Sequence, residues 1–162
     1  MIGIEHKSGV LLYTASIHKF VLGLGAFRLY RKKMGTIWAE RGRECIEEIK
    51  VWCEQGCTWN FEQKLKMLEA EENYSLGNIE GAKISYQDAI SAARLHKFLN
   101  DEALACELAA NFYFKIGDAS SSLKYYRIAH EVYIKCGAIG KADDLFTFIN
   151  AKFTSLLHLH GP

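Results

Sequence analysis

Cysteine, histidine and glutamate are the residue types in this chain whose spacing could support chemistry. Cys53 and Cys57 lie four apart near a helix end, the beginning of a metal site. Zinc needs two further thiolates or imidazoles at matching spacing, and the nearest histidines, His18 and His96, are far away in sequence. His158 and His160 have a metal-like spacing but sit in a short tail, and read as solvated. Cys106 lies among Leu104, Leu108 and Ala109 on the inner side of a helix, whereas a nucleophilic thiol needs an electropositive, partly exposed place. It reads as core. His130, one position past Ala129, reads as a groove or surface histidine. Glu69, Glu71 and Glu72 crowd one helix, but a di-metal bundle uses Glu-x-x-His on facing helices, and that motif is missing. They read as a solvated acidic face. Gly23-Leu24-Gly25 lacks the third glycine and the preceding strand of a dinucleotide loop. Neither a phosphate loop ending in Lys-Ser/Thr nor a kinase catalytic loop occurs. The expectation is a protein with no catalytic residues, no metal and no cofactor.

The elements that hold these residues are helices. The one proline, Pro162, is the last residue, so nothing interrupts a helix interior by removing a backbone donor. Stop and start signals predict seven helices, over residues 9–33, 37–55, 61–76, 79–96, 101–116, 119–135 and 139–157. Met34-Gly35 ends the first and Thr36 caps the second. Residues 56–59 form a loop, Asn60 caps the third helix, and Asn100 or Asp101 caps the fifth. Residues 1–8 show no period and read as a disordered N-terminus, residues 9–157 as one helical domain, and residues 158–162 as a tail. Short loops force neighbouring helices to run antiparallel.

Composition narrows the class. An apolar share of 49% with 24% charged residues is a globular balance. Twenty basic against nineteen acidic residues leave +1, so no global field draws in nucleic acid or an anionic membrane. The apolar stretch over residues 10–30 is broken by His18, Lys19 and Arg28, and reads as a buried amphipathic helix instead of a membrane span. Five cysteines, an odd number at low density, fit buried thiols in a reducing cytoplasm.

Setting Gly77 on Gly117, 40 residues apart, superposes two helix pairs: Leu68 on Leu108, Ala70 on Ala110, Tyr86 on Tyr126 and Ala89 on Ala129. A tetratricopeptide pair needs small residues where helices approach, an aromatic before the turn and a glycine in it. Ala70, Tyr74, Gly77, Ala82, Tyr86 and Ala89 supply these in one pair. Ala110, Tyr113, Phe114, Gly117, Ser122, Tyr126 and Ala129 supply them in the other. The unit is longer than the usual ~34 residues, lacks its closing proline, and puts Ser122 in an alanine's place. A generic helical bundle would share many of these positions. The matching Gly-Asn and Gly-Asp turns favour the repeat.

A more specific resemblance rests on Asn60-Phe61, Lys64, the run from Leu68 to Glu71, Gly77, the run from Tyr86 to Ile90, Ala103 to Ala105, Glu107 to Ala110, Phe112-Tyr113, Tyr133 and Gly137-Ala138. Together they resemble the tetratricopeptide-like helical region of very large multidomain signalling proteins. In those proteins it follows a serine/threonine-kinase-like domain and an AAA-type ATPase, and precedes sensor and histidine-kinase modules. The likeness covers residues 20–145, with Cys136 where the family usually has tryptophan. It implies an all-α, right-handed superhelical stack of antiparallel helix hairpins serving as an interdomain scaffold.

On that register the concave groove is lined by Lys64, Met67, Glu71 and Tyr74, then Leu104, Glu107, Asn111 and Phe114. Charges, methionine and aromatics together suit a peptide or a neighbouring helix. The expected function is non-catalytic contact with a protein or peptide in the cytoplasm, without nucleic acid or membrane. Two alternatives stay open. One is a helical bundle holding a small ligand or an active site. The other is an RNA-binding repeat, suggested by Arg28, Arg31, Lys32 and Lys33 beside Trp38.

Overall fold

The computed structural model describes the backbone over residues 3–159 and the side chains over residues 14–55 and 58–153. Among the described residues the chain is all-α: α1 (Gly3–Arg31), α2 (Ile37–Trp52), α3 (Thr58–Ser75), α4 (Ile79–Leu95), α5 (Leu99–Lys115), α6 (Ala119–Lys135) and α7 (Ile139–Leu159). Helix α1 begins at Gly3, within the stretch that shows no period in the sequence. The expected loop over residues 56–59 is instead a π-helical turn, Cys53–Cys57, that runs directly into α3. The Thr58 hydroxyl fastens it by donating to the Cys53 carbonyl at 2.8 Å.

Turn chemistry makes the last four helices alike. Gly77, Lys97, Gly117 and Gly137, each 20 residues after the previous one, take positive φ just past a helix end. At Gly117 the glycine N–H donates to Phe114 O and the next N–H, of Asp118, to Tyr113 O at 3.0 Å. The same pair of bonds recurs at the other three turns, using the carbonyls a helix end leaves without partners. A 40-residue alternation lies on top of this period. Asn78 and Asp118 each accept the N–H three residues on, from Gly81 and Ser121, and so cap α4 and α6. Phe98 opens α5 without a side-chain cap, so neither Asn100 nor Asp101 serves there. Thr36 occupies the N-cap of α2 but makes no side-chain cap bond. Lys33, not Gly35, closes α1 in the same turn geometry, with Met34 N–H donating to Leu29 O.

The sequence reads as one domain; the fold divides into two compact units, Met1–Ala89 and Ile90–Pro162, with the boundary inside α4. In the first, α1 and α2 fold back on each other, and Lys19 on α1 reaches Glu48 on α2 at 2.6 Å. Arg43 on α2 pairs with Glu72 on α3, while Arg31 near the end of α1 meets Glu71 near the end of α3. Helices α1 and α3 therefore run parallel, with α2 antiparallel to both. Gly23 permits the close approach: a Cβ there would stand 2.8 Å from Leu68 and 3.2 Å from Cys45. Gly42 is tighter still, since its Cβ would meet the buried ring of Phe27 at 2.6 Å.

The second unit repeats the plan with α5, α6 and α7. Ala103, Ala105, Ala109 and Ala110 are fully buried, so backbones come close enough for the Ser122 hydroxyl to donate to Ala110 O at 2.9 Å. The serine in an alanine's place thus meets its polar demand across the pair. Tyr113 stacks on Tyr125, with ring centroids 5.4 Å apart. Glu107 pairs with Lys141, and Phe114 meets Phe153, so α5 and α7 run parallel as α1 and α3 do.

Candidate functional site

The eight expected groove residues do not share one fate. On α3, Lys64, Met67 and Glu71 are buried, Met67 completely. The physical reason is α1, which lies along this side of α3 and covers it. Arg31 donates to Glu71 Oε2 at 2.5 Å, to Glu71 O and to Ser75 Oγ, and its guanidinium sits 4.5 Å from the centre of the Tyr74 ring. Tyr86 from α4 donates to the other Glu71 oxygen. Burial and the Glu71 charge together push the Tyr86 phenol well above its usual range. Three of the eight expected groove residues are therefore core, and the acidic face read at Glu69, Glu71 and Glu72 is paired, with Lys66, Arg31 and Arg43.

On α5 the outcome differs. Leu104, Glu107 and Phe114 are half-buried and Asn111 is exposed. Glu107 and Asn111 come together on the wall of a cleft of about 240 Å3. The opposite wall is α7, with Lys141, Asp144 and Phe148, and Tyr126 of α6 closes the floor. Asn111 is oriented by both of its ends. Its Oδ1 accepts from the Tyr126 hydroxyl at 2.8 Å, and its Nδ2 donates to Glu107 O at 2.8 Å. Glu107 accepts from Tyr133 and from Lys141, each at 2.8 Å. Burial raises the Tyr126 phenol to about 12, with the Glu107 charge adding to the effect. Tyr133 is raised too, by burial first and then by its bond to Glu107. Both hydroxyls therefore stay protonated donors at neutral pH, fixing the amide and the carboxylate that line the opening.

The sequence reading missed the α7 wall. Its signal was present: Lys141, Asp144, Leu145 and Phe148 have the three-four-seven spacing of one helix face. Carrying the 40-residue register one copy further also sets Asp144 on Leu104.

The reactive residue types are placed plainly. Cys106 is fully buried, and its thiol is pushed up to about 12 by burial, with Glu102 adding to the effect. His130 lies 5.7 Å from the ring of Phe146. Side chains of Cys57, His158 and His160 lie outside the described residues, as does the structure of the last three residues of the tail. Among the described residues no group of three or more His, Cys, Asp or Glu is placed to hold a metal ion. No described helix is long and apolar enough to cross a membrane. A second, larger cleft of about 610 Å3 opens in the first unit between the end of α1 and the end of α3, lined by Tyr30, Lys33, Thr36, Tyr74 and Ser75 with Arg31.

Comparison with protein-family models, with curated proteins and with solved structures finds no match to this chain.

Proposed function

We propose that this chain is a non-catalytic interaction module that holds an extended polypeptide segment in the cleft between α5 and α7. The observation that carries this reading is the pair of parallel helices presenting Glu107 and Asn111 across from Lys141 and Asp144 over an aromatic floor. A primary amide held by two hydrogen bonds is suited to reading a peptide backbone, because each of its atoms keeps a free direction for one more bond. The segment belongs to a partner protein or to a neighbouring domain of a longer signalling chain, as the tetratricopeptide-like resemblance implies. The cytoplasm is the setting proposed, in keeping with the free thiols of Cys45, Cys53 and Cys106 buried in both units. Selection of phage-displayed twelve-residue peptides on the immobilised chain tests the reading. Enrichment of related sequences that Asn111→Ala no longer retains is the expected result. Enriched peptides that bind the variant equally well would remove the cleft from consideration.

One observation favours a second reading, a small-ligand site. The 610 Å3 cleft of the first unit is in the size range of cofactor and drug-sized pockets, and it carries cationic and hydroxyl groups. Native mass spectrometry of the purified chain separates the two, since a retained small molecule adds a fixed mass and a peptide groove adds none.

A further inference from the structure

The geometry points to an arginine side chain of a partner polypeptide as the occupant of the α5–α7 cleft, an inference that rests on the peptide-groove reading above. The volume comes first. At about 240 Å3 the cleft falls below the roughly 300–1,000 Å3 of sites that enclose a whole small molecule, and suits one long side chain. Its walls change character with depth. Leu145 and Tyr126 are almost fully buried at the bottom, and half-buried Phe148 beside them offers the apolar surface a methylene stem would touch. The charges stand around this lining. Glu107 and Asp144 against Lys141 leave one negative charge in excess.

That excess is localised. Glu107 is already engaged by Lys141 and Tyr133, whereas Asp144 makes no hydrogen bond or ion pair among the described residues. Asp144 and Phe148 are four apart on one exposed-to-half-buried face of α7, so a carboxylate and an aromatic ring stand next to each other. A planar guanidinium satisfies both at once, forking onto the carboxylate while lying against the ring. Lys141 shows that this chemistry operates here: its ammonium is 2.8 Å from Glu107 and 5.8 Å from the centre of the Tyr133 ring. A glutamate side chain in the same place would face two carboxylates, and a glycine would leave the cleft to water.

The test is a 15N NMR titration of the full chain with three capped pentapeptides, Gly-Gly-Arg-Gly-Gly and its analogues with glutamate or glycine at the centre. The arginine peptide is expected to shift the Asn111 side-chain amide and the backbone amides of residues 141–148 in a saturable way, while the other two do not. Asp144→Asn, a change at an exposed position, should weaken that binding by about fivefold, the worth of one exposed ion pair. If the glutamate or glycine peptide shifts the same signals as strongly, the arginine anchor is wrong and the groove stands. If none of the three shifts them, the anchor and the groove both fall.

Discussion

Glu71 in the first unit and Asn111 in the second stand 40 residues apart and do the same thing: each accepts a hydrogen bond from a tyrosine 15 residues later. Their surroundings are opposite. Glu71 is 4% exposed beneath Arg31, whereas Asn111 is exposed in an open cleft. Glycine placement and the residue brought by the parallel helix explain the contrast. Gly23 lets α1 settle against Leu68 of α3, and Arg31 then closes over Glu71 and Tyr74. In the second unit Gly140 of α7 faces open space, and the charged and aromatic side chains of α7 hold the opening. One plan thus yields a sealed version, where polar groups are buried against each other, and an open version, where they line a cleft.

Breaking the seal gives the largest expected effect. Arg31→Ala leaves the Glu71 carboxylate buried without its cation and should cost about 3 kcal/mol. Adding Glu71→Gln should recover much of that loss, because a neutral amide is cheaper to bury. Urea denaturation measures both, and a cost under about 1 kcal/mol for Arg31→Ala would mean the pair is effectively exposed. The equivalent change in the open version, Lys141→Ala, should cost less than about 1 kcal/mol, since Lys141 is exposed and Glu107 keeps its bond from Tyr133.

Turn and packing glycines come next. Gly117→Val forces a β-branched residue into a left-handed turn and should cost about 2 kcal/mol, more than Lys141→Ala. Gly77→Val should cost the same, because the two turns share one hydrogen-bond pattern. Gly42→Ala drives a methyl into the buried Phe27 ring and should lower stability by about 2 kcal/mol. Gly140→Ala meets nothing within 4 Å and should raise it by about 0.5 kcal/mol through helix propensity. Thermal melts of the pair should therefore shift in opposite directions, and shifts of the same sign would contradict the difference in packing.

The alkaline limit is a smaller effect. Tyr126 holds its proton up to about 12, above the ~10 of an unfolded tyrosine, so the folded chain binds this proton more tightly. The stabilisation is complete below pH ~10 and is lost as pH rises from there through about 12. Tyr86 and Tyr133 act in the same direction. Tyr126→Phe should cost about 1 kcal/mol at neutral pH by removing the bond to Asn111, and should flatten the fall between pH 10 and 12. A variant that melts with the same pH profile as the parent would show that this phenol does not govern the limit.

The fold was legible because local chemistry writes it: Gly77, Gly117 and Gly137 mark three of the four equivalent turns, and Asn78 and Asp118 mark two caps. The fourth turn is hidden. Lys97 takes positive φ without being glycine, and the sequence therefore points to Asn100 or Asp101 where Phe98 starts the helix. Which of the expected lining residues stay open to solvent was not legible, for a different reason. Lys64, Met67 and Glu71 have the right spacing on α3, but whether another helix lies over them depends on α1, more than 30 residues away in the chain. Asn111 and Glu107 escape that cover, while their α7 neighbours were missed, because only two copies of the register were aligned.

The most direct measurement is amide chemical-shift mapping with the best phage-selected peptide. The expected shifts concentrate on the facing sides of α5 and α7, including the Asn111 side chain, and vanish for Asn111→Ala. Shifts confined to the first unit, around Tyr30, Arg31 and Tyr74, would contradict a peptide groove in the second.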